Sequence, residues 1–259
     1  MTKLADAFDH GKAFVAFLTC GDPDLQTTRK AVCAMEQAGA DLIELGIPFS
    51  DPTAEGPVIQ AANLRALKQG ITTDDVFAMV AQLRQEDGVK LPMVFMTYAN
   101  VVFHYGTEAF CAKCAQVGIQ GLILPDVPYE EKADFDPICQ RYGLDLVSLI
   151  APTSQGRIQT IAKEAKGFVY CVSSLGVTGV RSQITTDVAA MVKLVKQGNP
   201  TIPAAVGFGI STPEQAKEMA AVSDGVIVGS AIVKLLAQHG RDAVPYLADY
   251  VRQMKAALS

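Results

Sequence analysis

Short apolar runs alternate with longer amphipathic stretches along this chain. In three places a polar-faced helical stretch ends in glycine and an apolar run follows within a few residues: QAGADLIEL at 37–45, QVGIQGLIL at 116–124 and RYGLDLVSL at 141–149. Glycine readily takes the left-handed conformation that ends a helix, and each apolar run has the length of a strand buried on both faces. The pattern indicates repeated helix–strand units.

Eight strands with helices between them are predicted from this pattern. We expect strands near 13–19, 42–45, 92–97, 121–125, 146–150, 168–172, 203–206 and 225–228. We expect helices near 25–38, 57–69, 73–86, 106–117, 130–142, 155–164, 187–196, 212–220, 231–238 and 243–256. Strict alternation implies a parallel sheet, and about eight such units in about 250 residues is the count of a (β/α)8 barrel. A doubly wound sheet usually has fewer strands.

The predicted fold is therefore α/β, a single (β/α)8 TIM barrel. A content of 49% hydrophobic and 19% charged residues supports a large folded core. No Ser/Gly-rich or Pro-rich linker divides the chain, so we expect residues 1–259 to form one domain.

Charge and apolar content narrow the classes of function. The formal net charge is -5 and the 22 Lys and Arg residues are scattered, which argues against a nucleic-acid-binding surface. The start of the sequence, MTKLADAFDHGKAF, lacks the pattern of a secretory signal, and no apolar run reaches the ~18 residues of a membrane span. Six dispersed cysteines fit reduced packing thiols. We expect a cytoplasmic protein with neither a membrane nor nucleic acid as partner.

Two glycine-rich segments follow the last two predicted strands. In a (β/α)8 barrel the loops after the strands share one face and build the site, and the final two loops often bind phosphate. Glycines allow a close backbone approach, and free N–H groups at the start of a helix favour an anion. Tight turns alone would also explain the glycines. We predict a phosphate site from Gly207, Phe208, Gly209, Gly229 and Ser230.

An acidic residue interrupts the second predicted strand. Glu44 lies within Leu-Ile-Glu-Leu, where an ionised carboxylate is unfavourable unless it is paired or used. Burial would raise its pKa, which suits a group that gives and takes a proton near neutrality. The alternative is a structural glutamate paired with a neighbouring strand. Without a cluster of metal ligands or an isolated strand lysine, acid–base chemistry with no metal and no cofactor is the expectation.

The loop after this strand carries two more acids between prolines and glycines. Residues 49–57 read FSDPTAEGP and are long enough to close over a ligand, as is the segment 173–179. Asp51 could instead hydrogen-bond its own turn, and Glu55 could be a solvated acid near a helix N-terminus.

At this point the sequence resembles the α subunit of tryptophan synthase over nearly its whole length. The segments that carry the resemblance are GDPD at 21–24, IELGIPFSDP at 43–52, YAN at 98–100, DVP at 126–128, GVTG at 176–179 and GFGIS at 207–211. The resemblance implies a retro-aldol cleavage of indole-3-glycerol phosphate to indole and glyceraldehyde 3-phosphate, in the last stage of tryptophan biosynthesis.

The resemblance also implies residue roles. Glu44 is the acid and base of the reaction, and a second carboxylate, normally Asp, contacts the indole N–H; here that position is Glu55, one methylene longer. Thr178 is a lid residue. The remaining residues implied at the substrate, with Tyr170 close to the catalytic carboxylate, are Phe17, Met96, Tyr98, Leu124, Ile150 and Tyr170.

A partner is implied as well. The resemblance predicts a β subunit in an αββα assembly, with pyridoxal phosphate expected only in that partner and with Pro48, Asp51 and Pro128 at the interface. Two alternatives stay open. One is a catalytically weak phosphate-binding barrel that mainly binds and activates a β partner, which the unusual Glu55 suggests. The other is a different phosphate-binding barrel, such as a sugar-phosphate epimerase or a flavin-dependent oxidoreductase.

Overall fold

Nine parallel strands form one sheet that curves into a ring. The computed structural model describes residues 3–152, 155–172, 187–207 and 209–258. The strand order is β5-β4-β3-β2-β1-β9-β8-β7-β6. The strands are Ala13–Thr19 (β1), Leu42–Gly46 (β2), Met93–Met96 (β3), Gly121–Ile123 (β4), Asp145–Leu146 (β5), Ser148–Ile150 (β6), Val169–Val172 (β7), Ala204–Gly207 (β8) and Gly225–Val228 (β9).

Helices follow the strands and cover the outside of the ring. They are Leu25–Gln37 (α1), Pro57–Lys68 (α2), Thr73–Gln85 (α3), Ala99–Tyr105 (α4), Thr107–Val117 (α5), Asp136–Arg141 (α6), Gln155–Glu164 (α7), Val188–Gly198 (α8), Pro213–Val222 (α9), Ser230–His239 (α10) and Val244–Ala256 (α11). The predicted (β/α)8 architecture is confirmed. In the described part of the chain no helix is long and apolar enough to cross a bilayer.

The ring closes through one strand in two pieces. β5 pairs with β4, whereas β6 pairs with β7, and Val147 alone separates them. The eight predicted strands thus become nine. The helix predicted over 130–142 is a 3-10 turn, Tyr129–Asp134, followed by the short α6.

Side-chain alternation along the strands separates two apolar layers. Successive residues of a strand point to opposite faces, so one set fills the ring and the other packs under the helices. The inner layer includes Phe17, Met96 and Tyr170. The outer layer is larger and joins Leu18, Phe95 and Cys171 to the apolar faces of the helices. Of the predicted site residues, Phe17, Met96 and Tyr170 belong to the inner layer.

Candidate active site

Glu44 projects from the middle of β2 into the ring. Its neighbours in register are Phe17 on β1 and Val94 on β3. The side chain is 0% exposed, and neither carboxyl oxygen has a hydrogen-bond partner among the described residues. Burial raises the pKa of the Glu44 carboxyl to about 8, because an apolar surrounding disfavours the charged form. The group therefore holds its proton at neutral pH and can release it slightly above.

A pocket opens above Glu44 at the carboxyl ends of the strands. It has about 430 Å³ of empty volume and is open to solvent on one side. Burial, with the negative charge of Glu44 second, raises the pKa of the Tyr170 hydroxyl well above its usual value, so Tyr170 stays neutral. The pocket is lined by Phe17, Glu44, Ile59, Met96, Tyr170, Gly209, Ile210, Ile227, Gly229 and Ser230.

Three glycines let aromatic rings form the walls of this pocket. A Cβ atom on Gly46 would lie 2.8 Å from Cζ of Phe17, and one on Gly229 would lie 3.1 Å from its Cδ1. A Cβ on Gly207, the last residue of β8, would lie 2.5 Å from the Tyr170 hydroxyl oxygen. Close packing against Phe17 and Tyr170 therefore favours glycine at Gly46 and Gly207, in addition to any contact with a ligand, whereas a Cβ on Gly229 would need Phe17 to move by only a few tenths of an ångström.

The start of α10 faces the same pocket. Gly229 is the residue that precedes the helix, and as a glycine it has no side chain to cap the N–H groups of the first turn. With Gly229 and Ser230 both lining the pocket, the positive end of the helix dipole is available to an anion there. The predicted site residues Phe208 and Thr178 lie outside the described residues.

Glu55 and Tyr98 are not among the described residues that line this pocket, and they are held to each other by a hydrogen bond. The Tyr98 hydroxyl donates a hydrogen bond to Oε2 of Glu55, and it accepts one from the backbone N–H of Ala54 at 2.9 Å. Glu55 is 5% exposed. Burial raises the pKa of the Glu55 carboxyl, the hydrogen bond from Tyr98 opposes this increase, and the negative charge of Asp126 adds to it.

The three predicted interface residues differ in exposure. Asp51 and Pro128 are exposed, whereas Pro48 is buried against the barrel. Asp51 also accepts a hydrogen bond from the Ser50 hydroxyl at 2.5 Å. Two of the three side chains are therefore available to a partner.

Two predicted substrate contacts, Leu124 and Ile150, are not among the described residues that line the pocket above Glu44. Leu124 and Ile150 both pack in the outer layer, under the helices. Their chain neighbours Ile123 and Leu149 lie in or against the inner layer, and Leu149 pairs in register with Tyr170. Contact of Leu124 and Ile150 with the substrate therefore stays a prediction, because a strand buried on both faces shows no alternation in its sequence that assigns each residue to a face.

Several pocket residues were missed from the sequence. Ile227 lies two positions before Gly229 and so faces the same way, which strand alternation could have shown. Ile59 comes from the first turns of α2, and Ile210 from the loop after β8. For Ile59 the sequence carries no signal, because its position depends on how α2 docks, whereas Ile210 directly follows the glycine segment already predicted at the site.

The architecture and the position of the pocket define the class of protein. A ring of parallel strands with its pocket at their carboxyl ends is a (β/α)8-barrel enzyme. The family model described as tryptophan synthase alpha chain matches residues 4–259. The chain belongs to the tryptophan synthase alpha chain family, whose members cleave indole-3-glycerol phosphate to indole and glyceraldehyde 3-phosphate, and it is accordingly a carbon–carbon lyase of tryptophan biosynthesis.

Relatives and solved structures are similar to this chain over nearly its full length. The chain is 48% identical to the tryptophan synthase alpha chain of Lacticaseibacillus casei, an alignment that covers 100% of this chain and 96% of the relative. For Lactiplantibacillus plantarum the identity is 49%, with coverage of 100% and 97%. A structure of Mycobacterium tuberculosis tryptophan synthase superposes with a TM-score of 0.89 at 34% identity, covering 99% of this chain and 98% of that one.

Proposed function

We propose that the pocket above Glu44 is where the carbon–carbon bond is cleaved, with Glu44 as both acid and base. The observation that carries this proposal is a fully buried carboxyl group in the pocket with no partner for either oxygen among the described residues. A buried carboxyl group without a partner destabilises a protein. Its presence in a pocket therefore indicates that it acts on a ligand bound there.

The proposed reaction needs one proton to be given and one to be taken. Protonated Glu44 donates to the indole carbon that bears the side chain, which places a positive charge on the ring nitrogen. The resulting carboxylate then removes the proton of the hydroxyl on the adjacent side-chain carbon. As that C–O becomes a carbonyl, the bond to the ring breaks and its electrons neutralise the ring. The products are indole and glyceraldehyde 3-phosphate, and Glu44 regains its proton.

The remaining residues are proposed to bind and orient the substrate. The Glu55 carboxylate contacts the ring N–H and stabilises the positive charge that develops there. Phe17, Met96 and Tyr170, with Ile59 and Ile227, form the apolar wall for the ring. The phosphate is held by Gly207, Phe208, Gly209, Gly229 and Ser230, which the uncapped start of α10 supports. Thr178 closes the site.

We further propose that the chain works with a β subunit in an αββα assembly. Asp51 and Pro128 are exposed on the face that carries the pocket, and the buried Pro48 lies near the start of the loop after β2 that carries Asp51. One similar solved structure is described as a tryptophan synthase complex from Pyrococcus furiosus, with a TM-score of 0.86 at 33% identity, covering 95% of this chain and 98% of that one.

The proposed proton transfers consume no redox equivalent and no group carrier. The chain therefore acts without a cofactor of its own, and pyridoxal phosphate belongs to the β partner. We propose that residues 1–259 form a single domain, which the one continuous sheet supports, and that the protein acts in the cytoplasm, where amino-acid biosynthesis supplies its substrate.

Release of indole from indole-3-glycerol phosphate tests the role of Glu44. The purified chain is assayed with and without a β subunit, alongside Glu44→Gln, which keeps the shape and removes the acid. We expect the variant to lose at least about 10²–10⁴-fold in turnover under both conditions. Glu218→Gln, on the exposed face of α9, is the matched control and keeps wild-type rates. A fully active Glu44→Gln would refute the assignment.

A further inference from the structure

We propose that Tyr98 is a positioning residue that fixes the carboxylate of Glu55, so that this chain can use a glutamate where the resemblance implies an aspartate. The inference rests on the proposed function, since it concerns how the second carboxylate is aimed. It also changes the expectation for Tyr98, whose hydroxyl is directed to Glu55 instead of serving only as part of the apolar wall.

Tyr98 is placed by β3 and α4. It follows Met96 by two positions, so its side chain continues the inner face on which Met96 lines the pocket. It is also the residue that precedes α4, and it is 3% exposed. A phenol ring has only two rotatable side-chain bonds, and burial fixes both. The hydroxyl is therefore a donor whose position is fixed.

Three contacts attach the loop after β2 to the Tyr98 side chain. Phe49 stacks on Tyr98 with ring centroids 5.1 Å apart and an angle of 28° between the planes. The Ala54 N–H donates to the Tyr98 hydroxyl, and the hydroxyl donates onward to Glu55. Because the acceptor side of the hydroxyl is occupied by Ala54, its single proton is directed to the carboxylate.

The backbone of Glu55 is fixed from the other side. Its carbonyl oxygen accepts a hydrogen bond from Nε2 of Gln60 at 2.7 Å, and Gly56 and Pro57 begin α2 immediately afterwards. A glutamate on this fixed backbone has one more rotatable bond than an aspartate, and that freedom must be removed for the carboxylate to meet a ring N–H. The hydrogen bond from Tyr98 removes it.

The charges around Glu55 give the hydroxyl a second effect. The groups that face this carboxylate are the Tyr98 hydroxyl and the carboxylate of Asp126, on the loop after β4. Asp126 itself accepts the N–H of Ala99 at 3.1 Å with each oxygen. Burial and Asp126 both raise the pKa of Glu55, and only hydrogen bonding lowers it. Without the hydroxyl, Glu55 binds a proton at higher pH and loses the charge that it supplies.

A double-mutant cycle between Tyr98 and Glu55 tests the proposal. Indole release by wild type, Tyr98→Phe, Glu55→Asp and the double variant is measured from pH 5.5 to 9. We expect Tyr98→Phe to lower kcat about 10- to 100-fold, the worth of a hydrogen bond to a charged group, with KM for indole-3-glycerol phosphate nearly unchanged. The acidic limb of the pH–rate profile of Tyr98→Phe should move to higher pH, because Glu55 then binds its proton at higher pH. An aspartate at position 55 is one methylene shorter and does not reach the Tyr98 hydroxyl. In the Glu55→Asp background, Tyr98→Phe should therefore change kcat by at most about threefold.

Tyr105→Phe is the matched control, since the Tyr105 hydroxyl also donates to a carboxylate, Asp74 at 2.6 Å, on the outside of the barrel. It should leave the pH profile unchanged. Equal effects of Tyr98→Phe in both backgrounds, an unmoved acidic limb, or a gain of activity in Glu55→Asp would each overturn the proposal. These outcomes differ from failure of the proposed function, which appears as an inactive wild type or an active Glu44→Gln.

Discussion

Glu44 combines full burial with the absence of a partner among the described residues, and this has a thermodynamic consequence. Its carboxyl has a pKa of 4.5 when solvated and about 8 in the folded protein. Between these values the folded chain holds a proton that the unfolded chain has released. Proton binding therefore favours the folded state at low pH, and this contribution is lost as the pH rises towards 8.

We therefore expect the free energy of unfolding to decline by a few kcal/mol between about pH 4.5 and pH 8 because of this one residue. Glu44→Gln carries no such group, so its stability relative to wild type should rise across that window and level off above it. Urea denaturation of both proteins at pH 5, 6.5 and 8.5 measures the difference. A constant difference between the two chains would show that Glu44 keeps an ordinary pKa.

At the scale of elements, strand alternation decides which side chains reach the substrate. Leu149 is half-buried against the inner layer, whereas Ile150 is 1% exposed and packs under the helices. We expect Leu149→Ala to lower kcat/KM about tenfold through lost apolar contact, with little change in Tm. Ile150→Ala should instead cost about 2–5 kcal/mol of stability and leave kcat/KM as in wild type.

Steady-state kinetics and thermal melts of both variants check this register. The reverse result, in which Ile150→Ala alters the kinetics and Leu149→Ala alters the stability, would show that Ile150 and not Leu149 contacts the substrate. The comparison is well matched, because both residues are aliphatic neighbours on β6.

These elements also show what the sequence can predict. The strands and most helices lie within a few residues of their expected positions, because glycine-ended helices and apolar runs are local signals. Helix α4 was missed: its first N–H group is bonded by Asp126, a side chain from a different loop. The pairing of Tyr98 with Glu55 likewise spans 43 residues of chain. Glu44 could be singled out as a candidate site residue because an acidic residue within an apolar strand can be recognised from the sequence alone, without knowing which residues surround it in the fold.

For the whole molecule, the proposed partner lies against the face that carries the pocket. Asp51 is exposed there, whereas Asp9 is exposed next to the start of β1, at the opposite end of the barrel. We expect Asp51→Lys to raise the Kd for the β subunit about tenfold or more by reversing a charge at the interface. Asp9→Lys should bind as wild type does. Calorimetric titration with the β subunit measures both, and an unchanged Kd for Asp51→Lys would remove this loop from the interface.

The glycines packed against Phe17 and Tyr170 restrict how this pocket can evolve. At Gly46, Gly207 and Gly229 any other residue places a Cβ within 2.5–3.1 Å of an aromatic side chain. A single substitution at Gly46 or Gly207 therefore clashes with the ring beside it, and one at Gly229 requires Phe17 to shift slightly, whereas a smaller side chain at the aromatic position creates no clash. Substitutions are therefore tolerated in one order: the aromatic residue is first replaced by a smaller one, and the glycine can be replaced afterwards. Divergence in substrate shape must pass through Phe17 or Tyr170 before it reaches the glycine loops.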